Sequence, residues 1–97
     1  MADGAEPLWR PAIDALAFQP PGHQGFCAVH RLAFRTLLGR TLLGRPGTPE
    51  DCLAFFAVHR PAFERAAAAK IQRRGLDVAA SLHLTSRDVA RALADLS

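Results

Sequence analysis

Several residue types are scarce or missing in this 97-residue chain. It has no tyrosine, one tryptophan, two cysteines and a single lysine among its 12 basic residues. No apolar run approaches the ~18 residues of a membrane-spanning helix, so we do not expect an integral membrane protein. The chain also lacks C-x-x-C, G-x-G-x-x-G and G-K-[ST] motifs, which are common sequence signals of zinc, dinucleotide and phosphate sites.

The chain is nevertheless rich in apolar residues. Hydrophobic types make up 49% of it and charged types 22%, a balance that is too apolar for a disordered protein. The length suits one domain rather than two, so we predict a loose tail over residues 1–11 and a single α+β domain over residues 12–97. Nineteen of the hydrophobic residues are alanine, so we expect a thin core and a domain that gains stability from a partner.

Charge and cysteine usage suggest a cellular setting. The net charge is only +3, and the basic side chains are interspersed with acidic ones, which is a weak signal for a dedicated nucleic-acid binder. The opening residues M-A-D-G-A-E-P are acidic and do not resemble a signal peptide. We therefore predict a cytoplasmic protein in which Cys27 and Cys52 are free thiols.

Turn residues and short apolar runs predict three strands. Two apolar runs on either side of a Pro-Pro-Gly turn indicate a β-hairpin over residues 12–29. Residues 80–85 alternate between polar and apolar types, with Leu82 and Leu84 on one face, as in a half-buried strand.

Three helices are predicted by apolar spacing and by start and stop signals. A short helix is expected over residues 30–38 and a last one over residues 86–96. Thr48, followed by proline and two acids, begins a long helix over residues 48–74, which we expect to be kinked at Pro61. The predicted fold is α+β, with a small antiparallel sheet of about three strands packed against these helices.

The apolar positions on these elements predict the core. The expected core residues are Phe18, Phe26, Leu32, Leu53, Phe56, Phe63, Ile71, Leu82, Leu84, Val89 and Leu93. A tandem repeat, T-L-L-G-R over residues 36–40 and again over residues 41–45, lies outside this list. Its second copy is either a loop insertion or an apolar patch, Leu42 and Leu43, used for self-association.

Three segments carry a family resemblance. They read G-F-C-A-V-H-R-L-A-F, C-L-A-F-F-A-V-H-R-P-A-F-E-R-A-A-A-A-K-I and L-H-L-T-S-R-D-V. In order and spacing they resemble a family of short proteobacterial proteins of unknown function, over roughly residues 13 to 90. The resemblance implies a cytosolic α+β fold of hairpin, helices and third strand, and it implies no activity or catalytic residue. Pro61 and the second T-L-L-G-R copy depart from the pattern.

Cysteine and histidine residues supply a candidate for metal-dependent or thiol-dependent activity. Cys27, His30 and His59 are the residues that such an activity would use, but their spacing matches no standard zinc site. On the predicted hairpin, Cys27 and His30 point to opposite faces. We therefore expect no metal, no cofactor and no catalytic residue.

Arginine residues supply the second candidate. Arg65, Arg73 and Arg74 lie along the long helix, whereas Arg87 and Arg91 share a face of the last helix. These side chains form either a solvated surface or a binding site for an anionic partner.

Arg60 is a separate case because it lies in the middle of an apolar stripe, where an unpaired charge is costly. Its stem is expected to be buried with the charged head in solvent, or the head is expected to pair with Asp14, Asp88 or a carbonyl group. The alternative is that Arg60 determines binding specificity.

Together these features predict a non-enzymatic binding module that acts as a homodimer or as an adaptor for another protein. A weak nucleic-acid binder that uses the arginine residues is the alternative, and an activity at Cys27, His30 and His59 is the third hypothesis. No interaction with a membrane is expected.

Overall fold

The structure, a computed structural model, describes residues 6–41 and 47–96. These residues form an α+β fold, as predicted. The strands are β1 (Leu8–Arg10), β2 (Ala15–Phe18), β3 (Cys27–His30) and β4 (Leu82–Leu84). The helices are α1 (Arg31–Thr41), α2 (Pro49–Val58), α3 (Arg60–Arg74) and α4 (Ser86–Leu96).

The strands form one mixed sheet in the order β1-β2-β3-β4. The predicted hairpin is the antiparallel pair β2 and β3, and β1 adds a further antiparallel strand. β1 comes from the segment that was expected to be a loose tail, and it is held by its pairing with β2. The prediction of an antiparallel sheet is wrong for β4, which runs parallel to β3. Three helices lie between β3 and β4, and such a long crossover can return the chain in the same direction.

The predicted long helix over residues 48–74 is two helices. α2 begins with a capping box in which Thr48 and Asp51 exchange hydrogen bonds. His59 then ends α2 and precedes α3, with φ −111° and ψ 25°. Pro61 explains the break, because it has no amide hydrogen to donate to Ala57 and its ring presses on that carbonyl group.

The other two helices lie close to their predicted positions. α4 matches residues 86–96, whereas the helix predicted over residues 30–38 continues to Thr41. The first T-L-L-G-R copy is therefore helical. Leu42 and Leu43 lie outside the described residues.

A single core lies between the helices and one face of the sheet. Six predicted core residues are buried: Phe18, Phe56, Phe63, Leu82, Leu84 and Val89. Three others pack against the core while partly buried: Leu53, Ile71 and Leu93. The remaining two predictions are wrong, because Phe26 is 49% exposed and Leu32 is 55% exposed.

The two errors have separate causes. On β3 the side chains alternate, and the core takes Cys27 and Val29, so Phe26 faces the other way. On α1 the buried stripe contains Phe34, Leu37 and Leu38, which leaves Leu32 on the solvent side.

The hairpin turn is fixed to the loop before β4. The Nε2 atom of His23, a buried residue, is 2.7 Å from the carbonyl oxygen of Ala80. Gly25 lies so close to the same loop that a Cβ atom there would overlap the Ala80 carbonyl group. Only glycine therefore lets the two backbones meet and places β4 beside β3.

Candidate functional site

One face of the sheet lies outside the core cluster of the described residues. We define the outer sheet face as Leu8, Ala15, Ala17, Phe26 and Ala28. Leu8, Ala17 and Ala28 are neighbours across three strands. The three alanines are buried but do not belong to the core cluster. Leu8 and Phe26 are 60% and 49% exposed, so large apolar side chains stand beside a floor of small ones.

The borders of the outer sheet face are polar. Arg10 and His30 lie in register with Ala15, and His83 lies in register with Ala28. No acidic residue lies in the four strands. The face therefore has an apolar centre and a basic border.

A buried ion pair connects α3, β4 and α4. The Lys70 ammonium donates to the carbonyl oxygen of His83 at 2.8 Å and to Asp88 at 3.0 Å. Asp88 and Thr85 also form a capping box at the start of α4. Burial alone would raise the pKa of Asp88, but hydrogen bonds from the Thr85 backbone and from Lys70 outweigh it and lower the pKa below its ordinary value.

A groove of about 280 Å³ lies between α3 and α4. Arg65 is 3.8 Å from Asp95, and Arg73 is 3.8 Å from Asp88, so the two helices run antiparallel. Alanine residues line the groove between these charged groups: Ala66, Ala68, Ala69 and Ala92. Arg91 also lines it, and its side chain makes no hydrogen bond or ion pair within residues 6–41 and 47–96.

The structure brings only part of the predicted arginine set together. Arg65, Arg73 and Arg91 line the α3–α4 groove, whereas Arg74 and Arg87 are exposed without lining it. Arg60, at the break between α2 and α3, does not line the groove either.

Arg60 pairs with a residue outside its predicted set of partners. Its Nε atom is 3.0 Å from Glu64, one helical turn away, and its guanidinium group lies 5.3 Å from the centre of the Phe56 ring. Asp14 and Asp88, the predicted partners, instead bind Arg31 and Lys70. Arg60 is thus held by its own helix and by an aromatic face.

An apolar depression of about 300 Å³ lies at the break between α2 and α3. We call it the α2–α3 corner, and it is lined by Val58, His59, Pro61, Ala62, Leu93 and Leu96. Apart from His59, the residues that line it are apolar.

The cysteine and histidine residues do not form a common site. Cys27 is fully buried, whereas His30 is exposed and accepts a hydrogen bond from the amide of Leu32. His59 lies against the Phe55 ring in another part of the molecule. Among the described residues, no group of three His, Cys, Asp or Glu side chains is placed to hold a metal ion.

Burial also makes both thiols weak nucleophiles. It raises the pKa of Cys27 to about 12 and that of Cys52 to about 11. Since the thiolate is the reactive form, the geometry disfavours thiol chemistry at either residue.

We expect both cysteines to react slowly with a thiol reagent in the native protein. The rate should be at least about a hundredfold lower than in urea, because access and thiolate formation both require local opening. The absorbance that develops after addition of Ellman's reagent measures this rate of reaction. An Ala57→Cys variant supplies an exposed thiol as the control, and a native cysteine that reacts as fast as this thiol would contradict the prediction.

No family model, curated protein or solved structure matches this chain. The resemblance to a proteobacterial family therefore remains a prediction. No helix among the described residues is long and apolar enough to cross a membrane.

The outer sheet face is the surface that the sequence patterns did not reveal. Phe26 was assigned to the core, although alternation along a strand places it on the same face as Ala28. A comparison of side-chain size would have found the buried face. Within the hairpin, one face carries Leu16 and Val29, whereas the opposite face carries mainly alanine.

Proposed function

We propose that this protein is a non-enzymatic interaction module that forms a homodimer through the outer sheet face. The observation that carries the proposal is the exposure of Leu8 and Phe26, two large apolar side chains on the sheet face that lies outside the core cluster. Exposed apolar patches with polar borders are typical of protein–protein interfaces.

A second copy of the chain can occupy this face because a two-fold axis places the same patch on both partners. Leu8 and Phe26 are the members of the patch that would lose exposure, since the three alanines beside them are already buried within one chain. Burial of these two large apolar side chains is the contribution that favours association.

The dimer should be weak. Strands of three or four residues give a four-stranded face of roughly 250 Å² in projection. Standard stable interfaces bury about 800 Å² per partner. We therefore expect reversible, concentration-dependent association.

The two free cysteines, Cys27 and Cys52, fit a reducing compartment and support the predicted cytoplasmic location.

The nucleic-acid alternative has less support. Asp88 and Asp95 separate the arginines of the α3–α4 groove, so the groove offers no continuous row of basic groups to a phosphate backbone. No aromatic side chain lines the groove for base stacking.

Light scattering after size exclusion tests the proposed dimer. The wild-type mass should rise with concentration from the 10.5 kDa of one chain toward twice that value. Phe26→Asp should keep the mass at one chain, because a buried unpaired carboxylate would oppose association.

Val58→Asp is the matched control, because Val58 is 73% exposed and belongs to the α2–α3 corner. This variant should still dimerise. A single-chain mass for the wild type at every concentration would overturn the proposal. So would a dimer that survives Phe26→Asp but is lost in Val58→Asp, since the interface would then lie at the α2–α3 corner.

A further inference from the structure

The α3–α4 groove combines a floor of small apolar residues with a border of arginines. Its floor presents the exposed methyl groups of Ala68 and Ala69, and its borders present Arg65, Arg73 and Arg91. Arg65 and Arg73 are eight residues apart on α3, which is about 12 Å along the helix axis. The groove is therefore long enough to contact about two turns of a partner helix.

The charges of the groove leave it able to bind acidic groups. Asp88 is held mainly by Lys70 at 3.0 Å and by Thr85, so its charge is compensated inside the protein, and its contact with Arg73 is longer, at 3.8 Å. The pair between Arg65 and Asp95 is long, at 3.8 Å, and both side chains are 55% exposed. Such a pair contributes little and can open for a competing carboxylate. Arg91 makes no ion pair within the described residues and is available to a ligand.

The shape and charge pattern favour a peptide over a nucleic acid. Small residues let another helix approach closely, and the methyl floor offers contact to apolar side chains. The aspartates separate the arginines, so a ligand must present carboxylates at intervals rather than a continuous row of phosphates. An amphipathic helix with acidic and apolar residues at helical spacing meets both conditions.

We propose that the α3–α4 groove binds an acidic amphipathic helix of another protein, with Arg65, Arg73 and Arg91 binding its carboxylates. This surface is distinct from the outer sheet face, and the proposal does not depend on self-association. It would give the interaction module a second partner on a separate surface.

Fluorescence polarisation with a synthetic peptide tests this site. The probe is a labelled helical peptide of about 14 residues, or roughly four turns, with Glu and Leu at spacings of three and four. It should bind saturably, and its affinity should fall as salt is added. Arg91→Ala should weaken binding about tenfold, a usual loss when a charged hydrogen-bond partner is removed. Ala69→Glu should weaken it further by adding a carboxylate to the floor.

Two control variants show whether the peptide binds at the α3–α4 groove rather than elsewhere on the protein. Arg10→Ala removes an exposed arginine from β1, at the opposite edge of the sheet from β4, and should leave the affinity unchanged. Phe26→Asp should also bind the peptide normally, even if the protein forms no dimer.

Three results would overturn the proposal. The first is no saturable binding of the acidic peptide at roughly millimolar protein. The second is binding that neither Arg91→Ala nor Ala69→Glu weakens. The third is tighter binding to a poly-dT oligonucleotide of similar net charge than to the peptide, which would assign the surface to nucleic acid instead.

Discussion

Replacing Phe63 with alanine should remove a large part of the stability of this protein. Phe63 is fully buried, and its ring centre lies 5.6 Å from that of Phe34, 5.0 Å from that of Phe56 and 6.1 Å from that of Phe55. Truncation of such a residue costs about 3–5 kcal/mol. The free energy of unfolding of a whole domain is only about 5–15 kcal/mol. Urea denaturation at a fixed protein concentration measures the loss.

A conservative variant keeps this prediction testable if Phe63→Ala does not fold. Phe63→Leu retains most of the apolar volume and should cost less than alanine does. Val58→Ala, at a 73% exposed position, should change the free energy of unfolding by less than about 0.5 kcal/mol. A loss at Phe63→Ala as small as this control would contradict the central position of the ring.

Removing the Asp88 carboxylate should have a similarly large effect. The side chains of Lys70 and Asp88 are only 13% and 17% exposed, so Asp88→Ala leaves an ammonium group buried without its counter-charge. Loss of one partner of a buried pair typically costs about 3–5 kcal/mol. The variant also loses the capping box at the start of α4. The midpoint of urea denaturation should therefore fall sharply.

A double-mutant cycle separates the ion pair from the cap. Lys70→Met together with Asp88→Ala should recover part of the loss, because no buried charge is left unpaired. Glu64→Ala is the matched control, since it removes the more exposed pair with Arg60 and should cost about 0.5 kcal/mol or less. Equal costs for Asp88→Ala and Glu64→Ala would show that burial of the pair is unimportant.

The stability of the protein should depend on pH through the ionisation of Asp88. Its pKa is lower in the folded protein than the ordinary value of 3.8. The unfolded chain therefore binds this proton first as the pH falls. The stabilisation is complete above about pH 5 and is lost as the pH falls through the folded pKa. The difference in stability between wild type and Asp88→Asn should shrink below about pH 4. A constant difference down to pH ~2 would contradict this assignment.

Local signals accounted for most of the elements. Thr48 and the acids that follow it predicted the start of α2, and the predicted end at residue 74 matches the end of α3. The effect of Pro61 was underestimated, because the apolar stripe continues in phase on both sides of it. Apolar periodicity reports which side of a helix is buried and not whether the backbone is continuous.

The functional surfaces were much less predictable. Arginine positions at helical spacing placed Arg87 and Arg91 on one face of the last helix, but only Arg91 lines the α3–α4 groove. The same spacing did not show that Arg91 joins Arg65 and Arg73 in one groove, because that requires α3 and α4 to pack antiparallel. Pairing of Lys70 with Asp88 was also missed, since the two residues are 18 positions apart and no local pattern connects them.

The sequence by itself determined the α+β class, the hairpin, the helix boundaries near Thr48 and Arg74, and the bounds of α4. These features depend on neighbours within a few residues. Packing of the helices decided which face of the hairpin is buried, since period-two alternation by itself describes both faces equally. The tertiary structure also decided the parallel direction of β4 and the pairing of β1, because both depend on contacts between distant segments. The exposure of Phe26 follows from that choice of face, and with it the surface proposed for the dimer.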